Sequence, residues 1–431
     1  MFLNQLKSYL AFFLKWRILG FVRSALLLFF GRITNTAGWE NRVLVVNLHA
    51  LGDVTAMTSI LQRYKIDFPE KNVYCLFPKD VGVTEKLFEE FADYILFVDL
   101  KKFGSDLSYE LDFINGLRAI GFQTVVNQGY GLFELPGKII AVNLGAKEVI
   151  GYEGLITEYE NADWVMRRRI AFIKHSLFPR YSTIVPIIDR DFRKRGRVAT
   201  FPLLYAAIYG GFLGHEPKIL PTKIGIDNNA EKSARDMLSR KNIALGTYAV
   251  FVIGGRTPVR WWPTERFAEV AKEVYRSGAK VVIIGTKAEQ EAITRFKELS
   301  DVPVADFSGE LSVAELVSVI HHSLFVLTND TAPVHLAIAL KKPSVCIMGL
   351  GIFGVSDHYG YPHVNRWVYE KDDCFFDYWR CIERAKPGEA APCIMAVSTE
   401  KVTREVRELI TFLKESNLDG FVGDKDFKAE F

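Results

Sequence analysis

Short apolar runs rich in β-branched residues alternate with longer amphipathic stretches from residue 42 onward. Continuous apolar runs of this length are typical of strands that are buried on both faces of a parallel sheet. In the first half, the predicted strands are Val43–Leu48, Val73–Phe77, Tyr94–Asp99 and Thr124–Asn127. In the second half, they are Tyr248–Ile253, Lys280–Ile284, Leu324–Thr328 and Ser344–Met348. Helical stretches separate them, so the pattern predicts an α/β protein with two doubly wound sheets.

The length of 431 residues also favours two domains with separate cores. We expect one domain over residues 40–238 and a second over residues 239–414. Residues 161–215 interrupt the alternation with basic clusters and prolines, and we interpret them as an insertion in the first domain. Residues 415–431 are charged and contain glycine, which predicts a loose tail. Ligands of such folds bind at the carboxyl ends of the strands, here in the cleft between the domains.

Charge is unevenly distributed along the chain. The formal net charge is only +3, but residues 1–39 carry +5 and residues 161–197 carry +7, which leaves −9 for the remainder. Both basic segments are also rich in apolar residues, and this combination favours binding to an anionic membrane surface. Nucleic acid is a rival partner, but no recognition motif accompanies the charge, so none is expected. For residues 161–197 a solvated basic face remains an alternative.

The first 30 residues are mostly apolar, but Lys7, Lys15, Arg17 and Arg23 interrupt the run. No stretch reaches the roughly 18 uncharged residues of a membrane-spanning helix. Its longest uninterrupted piece, Ser24–Gly31, is short for a signal-peptide core. We therefore predict an N-terminal hydrophobic helix that lies at a membrane interface. A helix packed on the protein and a signal anchor are the alternatives.

The five cysteines are few and odd in number, which is typical of a reducing compartment. Three of them fall close together near the C-terminus, at Cys374, Cys381 and Cys393. Their separations do not form a C-x-x-C zinc pattern, so we expect packed or loop thiols and no bound metal.

The first candidate site follows the first predicted strand, in the segment Leu48–Val54. Gly52 permits a turn and the close approach of a substrate, and His49 and Gly52 are candidate acceptor-binding residues. Asp53 at the mouth of the following helix can take a proton from an acceptor hydroxyl as that hydroxyl attacks a sugar. The alternative is an aspartate that merely caps the helix.

A second candidate site follows the first strand of the second half. Glycines after a strand expose backbone N–H groups, and basic and hydroxyl side chains beside them can hold a diphosphate. The candidate donor-binding residues here are Gly254, Gly255, Arg256, Thr257 and Arg260.

The third candidate site begins where the strand Leu324–Thr328 ends. Asn329, Asp330 and Thr331 precede a predicted helix whose N-terminus can bind a phosphate, and His335 lies one turn into that helix. Glu289 follows the strand Lys280–Ile284, where it can reach ribose hydroxyls. For His335 a packed helix histidine is an equal alternative, and for Glu289 a solvated helix acid is one.

These three segments, in this order, resemble glycosyltransferase family 9, the lipopolysaccharide heptosyltransferase family. The shared motifs are Leu-Gly-Asp-Val at Leu51–Val54, a basic-x-Trp-Pro stretch at Arg260–Pro263, and Asn-Asp-x-x-Pro-x-His-Leu-Ala at Asn329–Ala337. The resemblance covers about residues 42–410, apart from residues 161–215. Arg260 replaces the commoner lysine, which keeps the charge but changes its geometry.

The resemblance implies a GT-B fold, in which two Rossmann-like domains face each other across a cleft. It implies metal-independent, inverting sugar transfer without a cofactor, with Asp53 as base, phosphate contacts from Arg260, Asp330 and Thr331, and nucleoside contact from Glu289. The expected partners are a nucleotide-sugar, with ADP-heptose favoured, and a lipid-linked saccharide acceptor. The expected location is the cytoplasmic face of the bacterial inner membrane. A nucleotide-sugar epimerase or hydrolase, and a non-catalytic membrane-associated scaffold, are the alternatives.

Overall fold

A computed structural model describes residues 39–129, 135–152, 181–185, 200–350, 359–371, 389–416 and 426–428. The predicted N-terminal helix, most of the basic stretch 161–197, and Cys374 and Cys381 lie outside these residues. In the part of the chain that is described, no helix is both long enough and apolar enough to cross a membrane.

The first half is built on a six-stranded, wholly parallel sheet. Its strands are β1 (Arg42–Val46), β2 (Asn72–Pro78), β3 (Tyr94–Val98), β4 (Thr124–Asn127), β5 (Glu148–Tyr152) and β6 (Thr183–Val185). The central strand β1 has Val43, Leu44, Val45 and Val46 fully buried, because helices cover both faces of the sheet.

The second half is built on another six-stranded parallel sheet. Its strands are β7 (Tyr248–Val252), β8 (Lys280–Ile283), β9 (Val304–Asp306), β10 (Phe325–Asn329), β11 (Ser344–Ile347) and β12 (Asn365–Val368). All five residues of β7 are buried, as the apolar run predicted.

Both sheets have the same strand order. It is β3-β2-β1-β4-β5-β6 in the first half and β9-β8-β7-β10-β11-β12 in the second. In each half the chain changes direction along the sheet beside the first strand, between β1 and β4 and between β7 and β10. Ligands of doubly wound sheets bind at the carboxyl ends of these two strands. The three candidate segments follow β1, β7 and β10, so the fold places all of them at such points.

The connecting helices are mainly amphipathic and follow the strands as the sequence predicted. In the first half they are α1 (Leu51–Asp67), α2 (Leu100–Phe103), α3 (Leu107–Ile120), α4 (Leu135–Val142) and α5 (Phe201–Leu213). In the second half they are α6 (Asn228–Arg240), α7 (Thr264–Arg276), α8 (Gln290–Ser300), α9 (Val313–His321), α10 (Ala332–Ala339), α11 (Pro392–Ala396) and α12 (Thr399–Glu415). Helix α1 packs against α5 within the first half and against α10 of the second half. This contact between α1 and α10 joins the first and third candidate sites.

The structure revises two predictions about segments outside the regular alternation. Thr183–Val185 and Phe201–Leu213 lie inside the predicted insertion, yet they supply the edge strand β6 and the core helix α5. The near-continuous apolar character of α5 gave no helical periodicity to detect, because this helix is buried almost all round. In the predicted loose tail, Lys428 forms an antiparallel bridge with Gly360.

Candidate functional site

The segment after β1 turns directly into helix α1. The Asn47 side chain accepts a hydrogen bond from the His49 backbone N–H at 3.1 Å, which shapes the turn. The residue that precedes the helix is Ala50, without a side-chain cap, and Asp53 lies in the first helical turn. The capping alternative for Asp53 is therefore wrong. The half-buried Asp53 carboxylate is stabilised where it lies by the positive end of the helix dipole.

Gly52 of the first half lies in close contact with the His335 ring of the second half. A Cβ atom on Gly52 would lie 2.5 Å from Cδ2 and 3.2 Å from Nε2 of His335, which is on α10. No side chain fits in that space unless the imidazole moves. The glycine thus allows a histidine of the second half to lie against the turn that carries Asp53.

Gly254, directly after β7, makes room for Glu289. A Cβ atom at Gly254 would lie 2.1 Å from Oε1 of Glu289. The other carboxylate oxygen of Glu289 accepts a hydrogen bond from the Thr286 backbone N–H, within a capping box. Glu289 is only 6% exposed, so the interpretation of a solvated helix acid is wrong. Its carboxylate lies beside the loop that follows β7, and its contact with ribose hydroxyls stays a prediction.

Gly255 lies against the segment that follows β10. Its φ of +150° is unfavourable for other residues, and a Cβ atom would lie 2.4 Å from Cγ2 of Thr331. Trp261 donates its indole N–H to the Gly255 carbonyl at 3.1 Å, which holds the other side of the loop. The predicted donor-binding segments around Gly254 and Thr331 therefore form one continuous surface.

Asn329 links these two segments through the hydrogen bonds of its side chain, and we call this its clamp role. Its amide donates to the carbonyls of Ile253 at 2.8 Å and Gly254 at 3.1 Å, and its oxygen accepts from the Trp262 N–H at 3.0 Å. The residue is completely buried. It was predicted to bind the donor, and in this structure its side chain holds the loop that surrounds the donor site.

Asp330, Arg260 and the start of α10 supply charge beside this loop. A nitrogen of Arg260 lies 3.9 Å from a carboxylate oxygen of Asp330, whose side chain is only 4% exposed, whereas that of Arg260 is 32% exposed. Thr331 precedes α10 without capping it through its side chain. Pro333 has no N–H and Val334 donates its N–H to the Thr331 carbonyl at 3.2 Å, so the Ala332 N–H is the group that the start of the helix can offer to an anion. Arg256 and Thr257 are exposed on the loop.

His335 lies where the two halves meet and interacts with both candidate carboxylates. The ring is buried, packs on Phe201 of α5 at 5.7 Å between centroids, and forms a hydrogen bond through Nδ1 with the Tyr359 hydroxyl. Burial lowers the pKa of His335, while the charges of Asp330 and Asp53 act in the opposite direction. The imidazole is therefore neutral at physiological pH. It is a packed histidine, as one interpretation predicted, but it is packed within the site.

Sequence reasoning missed Tyr359 and Phe201. Neither falls in a motif, and both reach the site through tertiary packing rather than by following a strand. Of the clustered cysteines, Cys393 lies within the described residues, and its side chain is completely buried. Among the described residues, no group of three His, Cys, Asp or Glu side chains is arranged to hold a metal.

Two Rossmann-like halves with identical strand order, whose loops meet at the switch points, define a protein of the GT-B fold class. Residues 200–369 match the sequence model of glycosyltransferase family 9 (heptosyltransferase), and this range includes α5 and the whole second sheet. The chain is thus similar to glycosyltransferase family 9 over these residues, as the motifs predicted.

Individual relatives agree with this assignment. Lipopolysaccharide heptosyltransferase 2 of Salmonella typhimurium is 28% identical over 96 residues, which are 21% of this chain and 28% of that protein. The chain thus aligns with little more than a quarter of that curated relative. Two solved structures share the fold. A family 9 glycosyltransferase from Veillonella parvula has a TM-score of 0.69 at 18% identity, with 89% of this chain and 100% of that chain covered. The Escherichia coli ADP-heptose lipopolysaccharide heptosyltransferase II has a TM-score of 0.63 at 15% identity, with 87% and 100% covered.

Proposed function

We propose that this protein is an inverting glycosyltransferase that moves a sugar, heptose from ADP-heptose, onto a lipid-linked saccharide of the cell envelope. The observation that carries the proposal is the contact of His335 with Gly52. Through it, the first turn of α1, which bears Asp53, lies beside the segment of the second half that bears Asp330. An acceptor held by one half and a donor held by the other would meet at this point.

Asp53 is the proposed base. It is half-buried in the first turn of α1, at the cleft, where an acceptor hydroxyl can approach. As the hydroxyl oxygen attacks the anomeric carbon, its proton passes to the Asp53 carboxylate and the bond from that carbon to the diphosphate breaks. Attack from the side opposite the leaving group inverts the configuration.

The second half is the proposed donor site. The buried Glu289 beside Gly254 is placed for ribose hydroxyls, and the exposed Arg256 and Thr257 flank the same loop. Arg260 and the N-terminus of α10 supply positive charge for the departing diphosphate, and this stabilisation replaces a metal ion in the proposed mechanism. ADP-heptose is favoured because the structural relative from Escherichia coli is described as acting on it.

Location at the cytoplasmic face of the inner membrane is part of the proposal. It rests on the basic and apolar composition of residues 1–39 and 161–197, which suits an anionic lipid surface that also carries the acceptor.

The experiment that tests the proposal is a transfer assay with purified protein. ADP-heptose is supplied with detergent-solubilised envelope glycolipid that lacks its outer sugars, and the products are analysed by mass spectrometry. We expect addition of one heptose residue to the glycolipid and release of ADP. ADP-, UDP-, GDP- and CDP-linked sugars are compared in parallel.

The outcomes separate the candidate functions. Release of nucleotide at the same rate with and without glycolipid would replace the proposal with a hydrolase. Interconversion of the sugar while it stays on the nucleotide would indicate an epimerase. Nucleotide binding without turnover of any of the sugars would favour the non-catalytic scaffold.

A further inference from the structure

Tyr359 connects the candidate site to the C-terminal end of the chain. Its hydroxyl is hydrogen-bonded to Nδ1 of His335, and the planes of the two rings are nearly parallel, with 9° between them and 5.7 Å between centroids. On its other side the ring of Phe427 lies 6.4 Å away, edge-on, and Phe427 also contacts Tyr361 at 5.6 Å. Tyr359 is only 3% exposed. The site histidine is thus supported by a tyrosine that is itself covered by the C-terminal segment.

The backbone fixes this covering segment. Gly360 and Lys428 exchange two backbone hydrogen bonds, of 2.8 and 2.9 Å. Gly360 has a φ of +111°, and a Cβ atom there would lie 2.9 Å from the Asn365 side-chain oxygen and 3.1 Å from Ile338. Only glycine suits this position, because both the conformation and the space exclude a side chain. The bridge therefore holds Phe427 against Tyr359 in a defined register.

The surroundings of His335 select one of its two neutral forms. The Cδ2–Nε2 edge of the ring faces Gly52, in the turn that carries Asp53, and the ring interacts electrostatically with Asp53 and Asp330. A proton on Nε2 is attracted by these carboxylates, whereas a lone pair there is repelled. Burial raises the pKa of Tyr359, so its hydroxyl keeps its proton and can donate it to Nδ1.

We propose that Tyr359 is a positioning residue that holds His335 with its proton on Nε2, and that residues 426–428 keep Tyr359 in place. This inference rests on the proposed function for its consequence, since the Nε2–H edge then lies against Gly52, in the helical turn that carries the proposed base Asp53. There the N–H dipole favours the charged form of the Asp53 carboxylate, which is the form that accepts a proton. Residues 426–428 then act on the site through Tyr359 and His335.

The direct test is nuclear magnetic resonance of the protein with ¹⁵N-labelled histidine rings. The chain has eight histidines, and the signals of His335 are identified by their loss in His335→Gln. We expect an unprotonated Nδ1 and a protonated Nε2 in the wild-type protein. In Tyr359→Phe, which keeps the ring but removes the hydroxyl, we expect both nitrogen shifts to change. A protonated Nδ1 in the wild type, or unchanged shifts in Tyr359→Phe, would overturn the inference.

The same measurement on Phe427→Ala tests the role of the C-terminal segment. Its matched control is Lys428→Ala, since Lys428 joins the bridge through its backbone alone. We expect Phe427→Ala to shift the His335 signals toward those of Tyr359→Phe and Lys428→Ala to leave them unchanged. If Phe427→Ala showed the same His335 signals as the wild type, the proposal that residues 426–428 hold Tyr359 in place would be contradicted.

Kinetics give the functional readout. Loss of one hydrogen bond to His335 is expected to lower kcat about tenfold in Tyr359→Phe and to change its pH profile, with the donor KM nearly unchanged. An unaltered rate and pH profile would contradict a positioning role. The ring-nitrogen signals do not depend on turnover, so failure of the proposed sugar transfer would be distinguishable from failure of this inference.

Discussion

The two halves of the molecule repeat one strand order but differ in the loop after their first strand. In the first half β1 ends at Val46 and α1 begins at Leu51, whereas in the second half β7 ends at Val252 and α7 begins at Thr264. The short loop brings a helix, and with it Asp53, directly to the edge of the sheet. The longer loop carries Arg256 and Arg260 beside the start of α10. One scaffold thus presents the proposed base on one side and the proposed diphosphate-binding loop on the other.

The asparagines at the ends of β4 and β10 extend this comparison. Asn127 donates to the Tyr181 hydroxyl at 2.7 Å and accepts from the Gly129 N–H at 3.2 Å, so it organises its own half locally. Asn329 instead binds the β7 loop through three hydrogen bonds. The second half therefore holds its two site loops to each other, as a pre-formed ligand site requires.

The largest expected effect on sugar transfer comes from removing the Asp53 carboxylate, the proposed base of the first half. Asp53→Asn should lower kcat for sugar transfer by about 10²- to 10⁴-fold, because a general base is lost while the shape is kept. Nucleotide affinity should stay within about twofold of the wild type. The matched control is Asp112→Asn, an exposed aspartate on α3. Full activity in Asp53→Asn would break the assignment of chemistry to the first half.

Removing positive charge from the second half should affect the donor. Arg260→Gln is expected to weaken binding of the nucleoside diphosphate about 10- to 100-fold, which is the usual contribution of a charge-assisted hydrogen bond. Isothermal titration calorimetry measures it, with Arg276→Gln as control, since Arg276 is 74% exposed on α7. Equal affinity in Arg260→Gln and wild type would remove Arg260 from the donor site.

The contact between the halves can be tested with a pair of glycine variants. Gly52→Ala places a Cβ atom 2.5 Å from the His335 ring, whereas at Gly116, exposed on α3, a Cβ atom meets nothing within 4 Å. We expect Gly52→Ala to destabilise the protein by about 1–3 kcal/mol through overpacking and to impair transfer. Gly116→Ala should stabilise it by about 0.5–1 kcal/mol. Urea unfolding measures both, and a stabilised Gly52→Ala would contradict the close contact.

The smallest expected effect is on the pH dependence of stability, and it arises from His321 in the second half. Burial lowers the pKa of His321 to about 4, and its Nδ1 is buried without a hydrogen-bond partner in the described structure. The pKa of His321 in the folded protein lies below the unfolded value of about 6.5. The folded protein is therefore at its full stability with respect to this group above pH 6.5, and it loses stability as the pH falls toward 4, because the unfolded chain binds the proton first.

This prediction is measured by denaturation at pH 7 and pH 5. The wild type should lose more stability between these pH values than His321→Asn, by about 1 kcal/mol, since His321 is only partly buried and solvent reduces the effect. Equal losses in the two proteins would show that His321 is not held neutral by the fold.

The sequence predicted the central strands and the site segments because these rest on local signals. β7, for example, is a fully buried apolar run, and Gly254, Gly255 and Asp330 each follow such a run. Strand β5 and the edge strands β6, β9 and β12 were missed. The three edge strands have only three or four residues each, and β9 is only half-buried along its length, so their sequences lack a clear apolar pattern.

What the sequence did not reveal are contacts between residues distant along the chain. The contact of His335 with Gly52, and that of Tyr359 with His335 and Phe427, depend on how the two halves pack. The clamp role of Asn329 was hidden for the same reason, because a polar residue after a strand is equally suited to bind a ligand or a neighbouring loop.

The most direct test of the division of labour between the halves is calorimetric titration of ADP into three proteins: wild type, Asp53→Asn and Asp330→Ala. The account predicts equal ADP affinity in the wild type and Asp53→Asn, and loss of binding in Asp330→Ala. If ADP binding is lost in Asp53→Asn but kept in Asp330→Ala, the donor site lies in the first half and the account is contradicted.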